Sequence, residues 1–138
     1  MPEIRALGPD DADLVLAAVH LFDSPPEDAA TRRFLADPGH HLLFALDASG
    51  RAVGFVSGVE LTHPDKGTEL FLYELGVDEP ARRQGVGRAL VEATLARERG
   101  CYGMYTLADD DNAAALAAYA SAGGRETSQP VMVDWEIG

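Results

Sequence analysis

Between Val77 and Leu90 the sequence reads V-D-E-P-A-R-R-Q-G-V-G-R-A-L, a stretch whose residue types suit an anion. An apolar run ends there and a helical pattern begins. The first N–H groups of such a helix have no intrahelical acceptor, and its dipole favours negative charge beside them. Gly85 and Gly87 allow a ligand close to the backbone and permit positive φ. Arg82, Arg83 and Arg88 add guanidinium groups of the kind that grip phosphate. Five of the 11 basic residues lie between Arg82 and Arg99, in a chain with 23 acidic residues. A dinucleotide fingerprint would place a third glycine where Leu90 stands, and the G-K-[ST] of a Walker loop is absent.

Carboxylates form the second group. Glu74 interrupts an otherwise apolar strand, where it reads as a general base or an amine clamp with its pKa raised by apolar surroundings. A salt-bridged or solvent-facing strand residue is the plainer alternative. Asp109, Asp110 and Asp111 exceed what capping the next helix requires, although one of them is expected to cap it. Their spacing lacks the glycine and terminal glutamate of an EF-hand, so a cation-binding wall is favoured over a metal site, with Glu60 joining it. No metal is expected. His40 and His41 are adjacent on a strand and point to opposite faces, while His20 and His63 have no partner at ligand spacing. Cys101, the lone cysteine, reads as a packing residue.

These groups must be positioned by a small set of elements. Glu3–Leu7 is a short strand. Gly8-Pro9-Asp10-Asp11 starts a helix with Leu14, Val15, Ala18, Leu21 and Phe22 on one face, ended by Ser24-Pro25-Pro26. Glu27–Leu35 is a second helix. His41–Leu46 and Val53–Leu61 form a hairpin, and Glu69–Val77 reads as a central strand covered on both faces. Gly87–Arg99 is a helix stopped by Gly100, Cys101–Leu107 a strand, Asn112–Ser121 a helix ended by Gly123-Gly124, and Pro130–Ile137 a last strand. The expected class is α/β, a mixed, mostly antiparallel central sheet with helices on both faces.

The pattern R-x-x-G-x-G (Arg82, Gly85, Gly87) between strand and helix resembles the pyrophosphate loop of the GNAT family of N-acetyltransferases. A later helix reads N-x-x-A-x-x-x-Y-x-x-x-G, as family members do, with Asn112, Ala115, Tyr119 and Gly123 in place. The stretches E-L-F-L-Y-E-L-G-V, A-R-R-Q-G-V-G-R-A-L-V and Y-T-L-A-D-D-D-N are similar to the type I aminoglycoside 3-N-acetyltransferases of that family. The likeness runs from about Arg5 to the C-terminus and is densest over Glu69–Gly123. Where Asn112 and Ala114 stand, such relatives carry an acidic residue and a proline, a departure that bears on substrate contacts.

The resemblance implies a single GNAT domain over residues 1–138 with acetyl-CoA as its cofactor. It implies that Leu75, Gly76 and Val77 contact pantetheine and acetyl through their backbone. The loop Arg82, Arg83, Gln84, Gly85, Val86, Gly87 and Arg88 would take the pyrophosphate, with Asn112 and Ala115 along the pantetheine arm. Tyr119 would protonate the departing thiolate, which leaves more readily when a proton is delivered. Acetyl transfer to an amine further needs a deprotonated acceptor and a stabilised oxyanion.

Composition sets the outer bounds. The chain has 138 residues, enough for one domain, and a net charge of -12 disfavours nucleic acid and anionic membranes as partners. Its longest apolar run, Ala113–Ala118, falls well short of the roughly 20 residues that span a bilayer. The N-terminus lacks the pattern of a signal peptide, so a cytoplasmic protein is expected. The expected activity is acetylation of a primary amine, an aminoglycoside first, with protein N-termini or another small amine as the alternative. A non-catalytic acyl-CoA-binding module is the rival from another class. Val131–Trp135 is apolar enough to sit in a homodimer interface.

Overall fold

The computed structural model describes residues 1–98, 100–128 and 130–138. Five strands form one sheet in the order β1 (Glu3–Ala6), β2 (His40–Leu46), β3 (Ala52–His63), β4 (Gly67–Val77) and β5 (Met104–Tyr105). The first three pairings are antiparallel and β4 with β5 is parallel. Helices α1 (Ala12–Ala17) and α2 (Asp28–Ala36) cover one face, and α3 (Val86–Arg97) covers the other with α4 (Ala113–Ser121) against it.

Alternation along β2 explains the two cores. Leu42, Phe44 and Leu46 join Phe55, Val15 and Leu35 beneath α1 and α2. Leu43 and Ala45 join Val53, Val56, Leu72, Leu90 and Val91 beneath α3. Successive strand residues point to opposite faces, so a continuous apolar run serves both layers. The strands buried on both faces are β2, from Leu42 to Leu46, and β3, from Ala52 to Gly58, rather than β4, whose Tyr73 is exposed.

Several expected elements are shorter or absent. The first helix ends at Ala17, where Ala18 leaves helical geometry, and Val19–Leu21 continues as a 3-10 turn. Its apolar residues still pack on the first core, so their spacing reported burial rather than one continuous helix. The strand expected at Cys101–Leu107 contracts to Met104–Tyr105. The described residues of Pro130–Ile137 form no strand: Val131 is 85% and Trp135 78% exposed. Alternating apolar residues favour extended backbone, but a strand also needs an edge to pair with, and no described strand pairs with this segment. Among the described residues, no helix is long and apolar enough to cross a membrane.

Candidate active site

Strand β4 carries the first part of the site. Ser57 pairs with Glu74 while Gly58 pairs with Leu72, which leaves Tyr73 as an extra residue in a bulge. The bulge changes which face each following residue meets. Leu72 and Leu75 both pack in the core under α3, whereas Glu74 and Gly76 turn to the α1–α2 side. A Cβ on Gly76 would lie 2.6 Å from the Phe55 ring, so this position has room only for glycine.

Glu74 is half-buried there, and its pKa is raised, first by desolvation and then by the Asp23 carboxylate. Asp23 lies between the Val19–Leu21 turn and α2, a segment in which sequence reasoning saw only a helix end. Nothing in its local pattern marks it; only the fold brings it to Glu74. The carboxylate acting on Glu74 is therefore Asp23 and not one of Asp109–Asp111.

The outer edge of β4 is open where it matters. The pairing with β5 covers only Leu70 and Phe71, and the Thr106 hydroxyl then donates to the Leu72 carbonyl at 2.8 Å. No described strand pairs with the outer edge from Tyr73 to Val77. This divergence beside Leu75, Gly76 and Val77 leaves backbone groups free to meet a ligand.

The loop beyond β4 folds into an anion cradle. Asp78 donates its N–H to the Val53 carbonyl at 2.8 Å, and its carboxylate accepts from Arg51 at 2.8 Å, which holds its pKa below the usual range. Arg83 (φ 63°) and Gly85 (φ 80°) both adopt left-handed backbone, the alternation that turns successive N–H groups inward. Val86 then starts α3, and the first helical bond runs from the Ala89 N–H to the Gly85 carbonyl at 3.0 Å.

The side chains of the loop divide by task. Arg82 Nε donates to the Val77 carbonyl at 2.9 Å and ties the loop to the strand end. Gln84 donates to the Pro80 carbonyl at 3.2 Å, and Arg88 pairs with Glu92 one turn along α3 at 2.5 Å. Arg83 makes no ion pair among the described residues. The two glycines differ as well. Gly85 is required by its positive φ, and a Cβ there would meet only Met1 Cε at 3.5 Å, so the cradle is roomy. Gly87 instead lies close against α4, where a Cβ would sit 3.3 Å from the Ala118 Cβ, a tight contact.

Helix α4 brings the candidate acid. Asn112 is its N-cap and accepts from the Ala115 N–H at 3.2 Å, so none of Asp109–Asp111 caps it through its side chain. The three aspartates are exposed in the turn ahead of it. Ala115, Ala118 and Tyr119 lie on the partly covered side of α4, and Tyr119 packs against the core under α3. Burial raises the Tyr119 pKa, partly offset by a hydrogen bond with the Thr106 hydroxyl. A phenol so placed keeps its proton at neutral pH, as a donor to a leaving group must.

Glu60 stands elsewhere. Its carboxylate accepts from His41 Nε2 at 2.7 Å, and His41 Nδ1 lies 3.1 Å from Glu98 at the end of α3. Sequence reading left His41 as a lone structural histidine, because its partners are remote in the chain. Burial, Glu60 and Glu98 raise the Cys101 thiol, which makes it a poor nucleophile. His20 donates to the Ala52 carbonyl at 2.8 Å, and His63 pairs with Asp65 in the β3–β4 turn.

Residues 12–123 match the model of the acetyltransferase (GNAT) family. The chain is 34% identical over 107 residues to the N-alpha-acetyltransferase RimI of Mycobacterium tuberculosis, covering 78% of this chain and 66% of that protein. Its fold is similar to an aminoglycoside acetyltransferase from an uncultured soil metagenomic sample, solved with sisomicin, at a TM-score of 0.87 and 23% identity over 99% of this chain and 96% of the other. It is likewise similar to the aminoglycoside 6'-N-acetyltransferase of Acinetobacter baumannii, at a TM-score of 0.77 and 20% identity over 100% of both. These structures bear out the expected fold; where a ring position is named for these neighbours it is 6'-N, not the 3-N of the subclass the motifs resemble. The chain belongs to the acetyltransferase (GNAT) family, whose members draw their acetyl group from acetyl-CoA.

Proposed function

We propose that this chain transfers an acetyl group from acetyl-CoA directly to a primary amine of a polycationic small molecule, an aminoglycoside or a compound of that kind. The observation that carries this reading is the Asp23–Glu74 carboxylate pair beside the open edge of β4. A half-buried carboxylate with an exposed one acting on it favours a cationic guest, and the raised pKa suits Glu74 to accept an ammonium proton.

Bound acetyl-CoA supplies the activated acetyl thioester. The loop Arg82–Arg88 would hold its phosphates through backbone N–H groups and the Arg83 guanidinium, which makes no ion pair among the described residues. The backbone of Leu75–Val77 orients the thioester, the Asn112–Ala115 turn of α4 lies along the arm, and Tyr119 holds the proton that the leaving sulfur takes. Asp109–Asp111 add negative charge at the rim. Glu60, occupied by His41, stays out of this acceptor wall.

A second reading, acetylation of a protein α-amine, is favoured by the 34% identity to RimI. The two are separated by thiol release from acetyl-CoA with a panel of aminoglycosides, diamines and short peptides. Turnover on aminoglycosides that is lost in Glu74→Gln supports the first reading. Turnover confined to peptide N-termini selects the second, and none with any amine overturns both. The same reading puts the enzyme in the cytoplasm and pairs two copies through 131–137, supported by the exposure of Val131, Met132 and Trp135. A monomer mass by light scattering, unchanged on deleting 131–137, contradicts that pairing.

A further inference from the structure

At the end of α3 remote from the Arg82–Arg88 loop, His41 from β2, Glu60 from β3 and Glu98 from just beyond α3 converge. One ligand atom from each lies within 4.8 Å of the others. Their side chains are mostly withdrawn from solvent, at 15%, 30% and 13% exposure respectively. Glu98 also lines a cavity of about 210 Å³ with Leu70, Leu95, Cys101, Gly103 and Met104.

Hydrogen bonding alone leaves this group unbalanced. The His41 ring has a carboxylate at each nitrogen, and one imidazole cannot offset two carboxylates whichever tautomer it takes. Withdrawn like charges are costly unless a cation joins them. No lysine or arginine among the described residues pairs with Glu60 or Glu98.

We propose that His41, Glu60 and Glu98 form a binding site for one divalent transition metal ion of the zinc class. One ring nitrogen of His41 and one oxygen from each glutamate are the ligands, and water completes the shell. The metal replaces one ring N–H proton, which passes to solvent, and the two carboxylates balance its charge. An imidazole ligand selects this class over calcium or magnesium, which take oxygen ligands. Bonds of about 2.1 Å put neighbouring tetrahedral ligands about 3.4 Å apart, and Glu60 faces Nε2 while Glu98 faces Nδ1, so closing the shell requires one glutamate to swing around to the nitrogen that binds the ion. Cys101 lies in the adjoining cavity but outside the 4.8 Å group, so it borders the site without ligating. The ion would lock β2 and β3 to the end of α3. This site is independent of the acetyl-transfer reading.

The test uses the full chain, stripped with chelator and titrated with Zn²⁺ alone. The expected result is one tight equivalent by calorimetry and a Tm rise of roughly 5 °C or more at a hundredfold excess over Kd. Co²⁺ in its place should give visible bands of a tetrahedral ion without a thiolate charge-transfer band. Glu98→Gln and His41→Ala should each weaken binding at least about 100-fold, while His63→Ala leaves it unchanged. Glu98→Gln keeps side-chain size, so it decides the question if His41→Ala fails to fold. Absence of saturable binding, or binding by folded Glu98→Gln within about threefold of the parent, overturns the proposal. So does loss of binding in His63→Ala.

Discussion

The Asp23 carboxylate raises the pKa of Glu74, adding to the effect of burial. The two residues come from opposite sides of the site, one in the link between the Val19–Leu21 turn and α2, the other after the bulge in β4. Asp23→Asn removes the electrostatic part and leaves the desolvation. The acid limb of kcat/KM should then move to lower pH while remaining above the ordinary glutamate value. KM for a polycationic acceptor should rise several-fold, more at low ionic strength than at high. An unmoved acid limb excludes Glu74 as the titrating base.

Glu74→Gln separates activity from stability. A general base contributes about 10²–10⁴-fold, so kcat should fall within that range. Stability should move the other way at neutral pH. A carboxyl with a raised folded-state pKa binds more protons folded than unfolded, so its contribution is full below the unfolded value and is lost as pH rises through the folded one. At pH 7 the ionised group is therefore unfavourable in the fold. Thermal denaturation should show Glu74→Gln at least as stable as the parent at pH 7, with that advantage gone at pH 4. Equal destabilisation at both pH values assigns Glu74 to structure.

Tyr119→Phe keeps the ring in the core and removes only the hydroxyl that meets Thr106. kcat should drop roughly 10- to 100-fold, with the Kd for CoA changed less than about threefold. The basic limb of the pH profile should flatten as well, because the raised phenol no longer titrates. Unchanged turnover moves the proton donor to another group.

What the sequence revealed follows from how local each feature is. The Arg82–Arg88 cradle was legible because a strand end, two glycines and a helix start are adjacent in the chain. Asn112, Tyr119 and Gly123 were legible through the resemblance of their N-x-x-A-x-x-x-Y-x-x-x-G run to that of the family. The face taken by Glu74 was not, since the bulge at Tyr73 inverts the alternation after Leu72. Asp23 was hidden in a segment with no pattern of its own. His41, Glu60 and Glu98 meet only because β2, β3 and the end of α3 do, and no local spacing encodes that meeting. The alternation in Val131–Ile137 misled for the converse reason: it reports a preference for extended backbone and not a partner.

Gly85 and Gly87 stand two residues apart in one motif, yet alanine should fail differently at each. Gly85 needs left-handed backbone, which costs a residue with a Cβ about 1–2 kcal/mol. Gly85→Ala should lower stability by that amount and weaken CoA binding, because the cradle reshapes. Gly87 sits within α3 with ordinary φ, where alanine is worth about 1 kcal/mol of helix propensity. Its added methyl presses on Ala118 at 3.3 Å, however, and Tyr119 follows Ala118 on α4. Gly87→Ala should therefore keep Tm within about 3 °C of the parent and lower kcat by displacing the tyrosine, since small misplacements of a reacting group are costly. Calorimetry with CoA and steady-state rates on both variants check this contrast. If Gly87→Ala loses CoA affinity while kcat at saturation holds, Gly87 serves the phosphate and not the seating of α4.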